Sequence, residues 1–500
     1  MAQNWWALTR GDVDATITQV GAIVAQLFIP VLLLAPVGVA PAFILTRCLP
    51  GFASGFFVGS LGLVFLGATV AGREGRTDVT AQVYGNNVPA IITYTLSIFL
   101  PVYLETHDPD RAWRVGAAAV VWTGIIKLCA APFASAFRRY IPLPASMTVF
   151  GAAMYSYLAL VVLQRIFDQP LVGIAALSLV GITVFANVPV TRYRLPPFLF
   201  AWLFPLLLGI ALGYVHPFWP GVALVLPFVP PHGLLQAMVL ALPYLSVIAP
   251  MAIYHVLQAI TTVEGATAAG DNYDARSVVA WDAVGTLLCG VAGSIVTPVI
   301  YALHPPYKAL GARIGFAFWT PLILLLVVMT GWTSFFAALF PWPILAALIA
   351  YVAVGVGRAT LARVDRKYWS VVLLGFVLPV GAVVSAVMNS ALPALQLSPA
   401  RADVQAALER SIYWASLRGL GNGFLFLVLV VASAVTEAID RHFGRAAIWC
   451  LLASAFSWFG LMHSAVLGWR AQPMYALGWL VAGGIVYSAR FWRGDTEKAG

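Results

Sequence analysis

The chain has 500 residues, 61% of them hydrophobic and only 9% charged. A soluble protein of this size carries about a quarter charged residues, so the composition excludes a soluble globular domain and places the chain among polytopic membrane proteins. The formal charge of +9 would suit nucleic acid as a partner, but the charges fall mainly in loops on one side of the predicted spans and need no such partner.

The N-terminal stretch MAQNWWALTRGDVDATITQ lacks the basic start and short apolar core of a cleavable signal, so the first apolar run is read as a retained helix. A span needs about 20 apolar residues to cross the hydrocarbon. Runs of this kind fall at 15–40, 50–71, 112–133, 143–166, 170–190, 197–215 and 236–263, with a short one at 86–103. The second half offers 278–292, 314–332, 336–356, 369–388, 419–437, 447–468 and 474–492, with a short one at 294–303. With the N-terminus inside, 19 Lys and Arg residues fall in inner loops and 8 in outer loops, leaving Lys127 within a span. The positive-inside rule therefore predicts a multi-pass protein of the cell membrane with both termini cytoplasmic. The four cysteines (Cys48, Cys129, Cys289 and Cys450) lie far apart without metal-ligand spacing and read as small apolar fillers. No Walker loop, nucleophile motif or HExxH occurs, so no enzyme, cofactor or metal is expected.

Two segments break the series. YGNNVPAIITYTLSIFLP (Tyr84–Pro101) starts polar and contains Pro89, and SIVTPVIYALHPPYK contains Pro298 and ends near Pro305 and Pro306. They are the third and tenth spans, so they occupy matching places if spans one to seven and eight to fourteen form two repeats. An odd repeat is inserted upside down the second time. Inverted repeats with interrupted helices in corresponding positions point to a transporter binding site near the midplane. A helix end inside the membrane needs protein, water or solute as its partner, and its N-terminal dipole favours negative charge. The bland alternative is that the prolines merely kink ordinary spans.

The stretch EGATAAGDNYDARS, followed by WDAVGTLLCGVAGSIVTPVIYALHPPYKALGARIGFAF, resembles helices eight to eleven of xanthine/uracil permease-like proteins of the nucleobase–ascorbate transporter superfamily. DVTAQVYGNNVPAIITY and IPLPASMTVFGAAM are similar to the third and fifth helices of that family. The resemblance implies an all-α membrane fold of seven plus seven inverted helices with half-helices at spans three and ten. A core domain, 1–140 and 234–333, would move against a gate domain, 141–233 and 334–440, with 441–500 as appended helices and a cytoplasmic tail. The implied activity is secondary active transport of a nucleobase by an elevator-like shift. The implied partners are a small-molecule solute, a proton or sodium ion for coupling, the lipid bilayer and, left open, a second copy in a homodimer. Where the family carries two substrate-gripping glutamates, this chain has Gln258 and the Leu303–His304 pair, and one of the family's paired hydroxyls is replaced by Thr297. An anion transporter of the same fold, of the sulfate or carboxylate type, and a non-transporting membrane scaffold are therefore the rival readings.

On a helix, His255, Gln258 and Thr262 share one face and would line the solute site, or else act as polar glue between helices. Asn86 and Asn87 would cap the third half-helix or touch solute. Tyr84 and Tyr301 would stack on a planar ring or simply pack. His304 follows the tenth half-helix and, as an imidazole, is a candidate for proton exchange. Glu264 is the carboxylate near the inner end of span eight and, with His304, the candidate for proton coupling. Lys127 would pair with an acid not identifiable from the sequence, or snorkel. Lys308 and Arg313 read as inner-loop charges.

Overall fold

The computed structural model describes residues 6–157, 163–185, 197–216, 223–227, 231–339, 341–395, 397 and 401–492. Parts of the spans predicted at 143–166, 170–190 and 336–356, and the end of the predicted tail, lie outside the described residues. Seven helices among the described residues are long and apolar enough to cross a membrane, and the pair Trp414–Gly421 and Phe424–Ile439, bent by 75°, makes an eighth. Shorter apolar helices such as Gly315–Met329 accompany them. The chain is a multi-pass, all-α membrane protein.

One compact unit comprises Met1–Ser135, Leu158–Leu242 and His255–Val354. Its first half runs through α1 (Arg10–Leu27), α2 (Leu49–Glu74), strand β1 (Val83–Asn86), α3 (Val88–Tyr94), α4 (Leu100–Thr106) and α5 (Pro109–Ala130). Its second half repeats that order with α6 (Leu245–Ala268, from His255 onward), α7 (Ala275–Val291), strand β2 (Pro298–Tyr301), α8 (His304–Ala309) and α9 (Gly315–Met329). The two strands pair antiparallel, with Tyr84 opposite Ile300 and Asn86 opposite Pro298. Equivalent segments thus run in opposite directions, as an inverted repeat requires. The first unit thus carries two interruptions in corresponding places of an inverted order of elements.

The interruptions differ from simple half-helices. Span ten is extended where a helix was predicted at 294–303, and its helix begins only at His304. β-branched residues favour the extended form, Pro298 is accommodated as the first residue of the strand, and pairing with β1 satisfies backbone groups that lipid cannot. Span three becomes helical at Val88 and passes through a π-turn, Thr95–Phe99, before α4. Pro101 explains the wide turn, since it has no N–H for the carbonyl four residues back and its ring crowds that carbonyl.

Glycines bring α2 against α7. Gly51, Gly55 and Gly59 recur every fourth residue, the spacing that lets membrane helices approach closely. A Cβ on Gly55 would lie 2.3 Å from the Cys289 backbone nitrogen, and one on Gly51 would lie 2.3 Å from the Ala292 carbonyl oxygen. α7 also packs along α5, and α9 packs on α1 and α2. At the start of α1, Thr9 and Asp12 form a capping box. Buried Asp12 also accepts the backbone N–H groups of Arg313 at 2.8 Å and Phe316 at 3.1 Å, tying the entrance of α1 to that of α9.

The second compact unit comprises Ala136–Tyr157, Pro243–Tyr254 and Gly355–Gly500. Its helices Leu143–Tyr157, Trp369–Val377 and Phe424–Ile439 pack together, with Gly375 giving way to the Thr148 side chain. Phe443–Trp458 packs on Phe424–Ile439, and Pro473–Ser488 packs on Phe443–Trp458. His463 ties this end together by bonding the Gly419 carbonyl at 2.8 Å, stacking on Tyr475 and accepting from the Trp479 indole at 3.0 Å. The last two helices are therefore built into this unit.

Candidate functional site

The strand pair lies inside the first unit, with Val83 to Asn86 and Pro298 to Ile300 all buried. Gly85 is required here, because a Cβ would sit 2.2 Å from the Tyr301 ring across the pair. Asn87 caps α3 by accepting the Ala90 N–H at 3.0 Å. The helix starts are poor in free donors. Pro89 has no N–H at the start of α3, and Pro305 and Pro306 have none at the start of α8. The expected pair of open N–H ends facing the solute is therefore not what this backbone provides.

Side chains from three helices close around the strands. From α6, Gln258 donates to the Ile300 carbonyl at 3.1 Å and accepts from Asn87 Nδ2 at 3.2 Å. From α1, Gln19 donates to the Tyr84 carbonyl, and Gln26 accepts the Tyr301 hydroxyl at 3.1 Å. Asn86 Nδ2 donates back to the Ile23 carbonyl at 3.4 Å. Tyr84 stacks on Phe56 of α2 at 5.3 Å. The buried atoms without a hydrogen-bond partner here include Gln19 Oε1, Asn86 Oδ1, Thr297 Oγ1 and both side-chain polar atoms of Gln82, the residue before β1. The amide nitrogens of Gln19 and Asn86 each give an N–H to a carbonyl, while both their amide oxygens are left without a donor. Buried polar atoms of this kind are normally satisfied by water or a bound molecule.

A buried ion pair stands at the head of β2. Lys127 of α5 and Asp282 of α7 are 2.7 Å apart, and both side chains are 0% exposed. The ammonium also donates to Thr286 Oγ1 at 2.8 Å and to the Pro298 carbonyl at 3.3 Å. Two of its three donors are thereby used, and the contact with Asp282 is an ion pair without hydrogen-bond geometry. The partner acid left unidentified in the sequence is Asp282, so Lys127 does not snorkel.

His304 belongs to a different cluster, at the loop between α6 and α7. Its Nε2 faces the Thr80 carbonyl at 3.0 Å and Asp271 Oδ2 at 3.2 Å, two acceptors, so that nitrogen carries the proton. Asp271 also receives Lys308 Nζ at 2.5 Å, Arg76 at 3.2 Å and the Thr80 N–H at 3.1 Å. Burial pushes the Asp271 carboxyl up, but the bonds from His304, Lys308 and the Thr80 N–H outweigh it and hold the group below the usual carboxylate range. Lys308, read from sequence as a loop charge, is a member of this knot.

Of the residues predicted to line a site, Tyr84, Asn86, Asn87, Gln258, Thr297 and Tyr301 gather at the strand pair. Thr262 turns its hydroxyl back to the Gln258 carbonyl at 2.8 Å, and His255 is buried on the same helix. Glu264 is half-buried on α6 beyond Thr262. Sequence reasoning missed Gln19, Gln26 and Asp282. Thr16, Gln19 and Gln26 lie three or seven residues apart in an apolar helix, a signal that they share a buried face. Asp282 is a lone acid in an otherwise apolar run, matching the lone Lys127.

No protein-family model matches the sequence, and a search of curated proteins finds no match. Among solved structures, the chain is similar to the transmembrane domain of a cyanobacterium bicarbonate transporter, BicA. The TM-score is 0.46 and the identity 15%, over 76% of this chain and 97% of that one. It is also similar to SLC26A9, with a TM-score of 0.48 and 14% identity over 84% of this chain. There it spans 65% of the other chain, just under two thirds.

Proposed function

We propose that the chain is a secondary transporter of a small oxyanion that retains an O–H group, bound where β1 and β2 meet. The observation that carries this reading is the buried ammonium of Lys127 against the first residue of β2. It stands next to Thr297, whose hydroxyl has no partner. The one acid at this place, Asp282, is already neutralised by Lys127, which disfavours a cationic solute. The unpartnered acceptors on Gln19 and Asn86 call for a donor on the solute, so a hydrogen-bearing anion suits them better than sulfate.

The nucleobase reading implied by the sequence resemblance rests on Gln258, and both ends of that amide are engaged within the protein. A base would have to displace two protein hydrogen bonds to be read by it. Uptake into vesicles reconstituted with the purified chain tests these alternatives. Bicarbonate and glycolate should enter faster than into protein-free vesicles, sulfate, uracil and xanthine should not, and Lys127→Met and Thr297→Val should each reduce the rate. Bicarbonate is the first solute to try because it is named for one of the similar structures. Uptake of uracil or xanthine with no anion uptake would restore the nucleobase reading. Absence of any uptake, with no solute raising the melting temperature, would favour a scaffold.

A further inference from the structure

We propose that Lys127 and Asp282 form an exchange pair that couples the binding of one anion to the uptake of one proton. The proposal deepens the anion reading above and rests on it. It replaces Glu264 and His304 as the place where coupling was expected. Those residues lie on the far part of α6 and in the Asp271 cluster, whereas this pair touches β2 directly.

The argument is one of charge. The resting pair is neutral and wholly buried. A monovalent anion arriving at the ammonium would leave the site with a net negative charge in a medium that solvates charge poorly. Oxygens of Thr286, Pro298 and Asp282 crowd the ammonium, so the anion must also displace one of them. Displacing Asp282 with simultaneous protonation solves both problems. A proton from water adds to the Asp282 carboxylate, the ammonium–carboxylate contact breaks, and the ammonium–anion contact forms. The site holds zero net charge before and after, so the loaded and empty forms cross equally well. The freed carboxylic acid becomes a donor, and Thr297, the residue before Pro298, has a buried hydroxyl without a partner.

The other titratable groups facing the pair are Tyr84, His255 and Cys289. Tyr84 donates its hydroxyl to the Asp282 backbone carbonyl at 3.2 Å and so stays fixed when the carboxylate changes state. His255 interacts with Lys127 from α6 and is the alternative proton acceptor, which a His255→Gln variant separates from Asp282.

The competing account is a purely structural ion pair. A structural pair can be exchanged for apolar residues without loss, whereas removing one member alone leaves a buried charge. The test is the initial uptake of radiolabelled glycolate, net of that into protein-free vesicles, into vesicles carrying the full chain, under an imposed pH gradient and zero membrane potential. Wild-type accumulation should rise about tenfold for each unit of gradient, the ratio set by one proton per anion. Asp282→Asn should lose this gradient-driven accumulation while still exchanging internal for external glycolate. The Lys127→Met, Asp282→Leu double variant should be monodisperse in detergent and carry nothing. Anion uptake by wild type that ignores the pH gradient overturns the coupling and leaves the anion reading standing. Normal transport by the double variant overturns it too, as does loss of coupling in His255→Gln but not in Asp282→Asn. No anion uptake by wild type overturns the reading beneath it. Should the variants fail to fold, the wild-type gradient dependence decides alone.

Discussion

Replacing Asp12 by alanine should destabilise the first unit by about 4 kcal/mol, a large effect for one residue near the start of the chain. The carboxylate accepts four hydrogen bonds: the Thr9 N–H at 2.9 Å, the Thr9 hydroxyl at 2.7 Å, and the N–H groups of Arg313 at 2.8 Å and Phe316 at 3.1 Å. Alanine leaves three backbone donors without an acceptor. An orphaned buried donor costs about 1–3 kcal/mol, so three cost about 3–9 kcal/mol, and the Thr9 end is partly wetted, which puts the sum toward the low end of the latter range. Asparagine keeps one acceptor oxygen and can serve either Thr9 or the α9 entrance, but not both, so it should cost about half as much. The assay is SDS-induced unfolding of the purified chain followed by tryptophan fluorescence. An alanine variant within about 1 kcal/mol of wild type, or an asparagine variant as unstable as alanine, would refute the view that one carboxylate closes both helix entrances.

Asp271→Asn should release His304 and Lys308, and its cost should depend on pH. A carboxyl held below its ordinary range contributes stability that is present above that range and lost as pH falls through the lowered value. The difference between wild type and Asp271→Asn in unfolding midpoint should therefore be full at neutral pH and vanish on acidification; a difference that grows in acid would contradict the assigned contacts. Gly55→Val should prevent assembly, because the new Cβ meets backbone rather than a movable side chain, and size-exclusion profiles of tagged protein will show it. Tyr301→Phe should cost only about 1 kcal/mol, the loss of one hydrogen bond to Gln26, measured by the same unfolding assay. A reporter fused after Gly500 should be active in the cytoplasm, following the 19-to-8 charge split, and activity confined to the other side would undo the predicted topology.

The two interruptions were legible because proline and polar residues stand out in an apolar chain. Their pairing was not. Tyr84 and Ile300 are far apart in sequence, and no local pattern announces that two short extended pieces share a ladder. The same distance hid the partner of Lys127. Each charge was visible as an oddity in its own run, but nothing in one run states which other helix it faces. Gln258 and Asn87 were singled out by helix periodicity and position, and they do bond to each other. His304 was legible as unusual and misleading as to neighbours, because Pro305 and Pro306 start a new helix there while Asp271 and the Thr80 carbonyl hold the ring at the loop. The glycine series of α2 could be read directly, since spacing by four is a property of one helix.

The prolines at the starts of α3 and α8 have an evolutionary consequence. A transporter that grips its solute with backbone amides has a specificity that point mutation barely touches, because every residue type brings the same N–H. Here those amides are absent at Pro89, Pro305 and Pro306. On the anion reading proposed above, recognition falls instead to side chains such as Lys127 and Thr297, each of which changes with a single codon. A scaffold of this kind can drift from one solute to another through few substitutions while its strand pair and glycine-packed helices stay as they are.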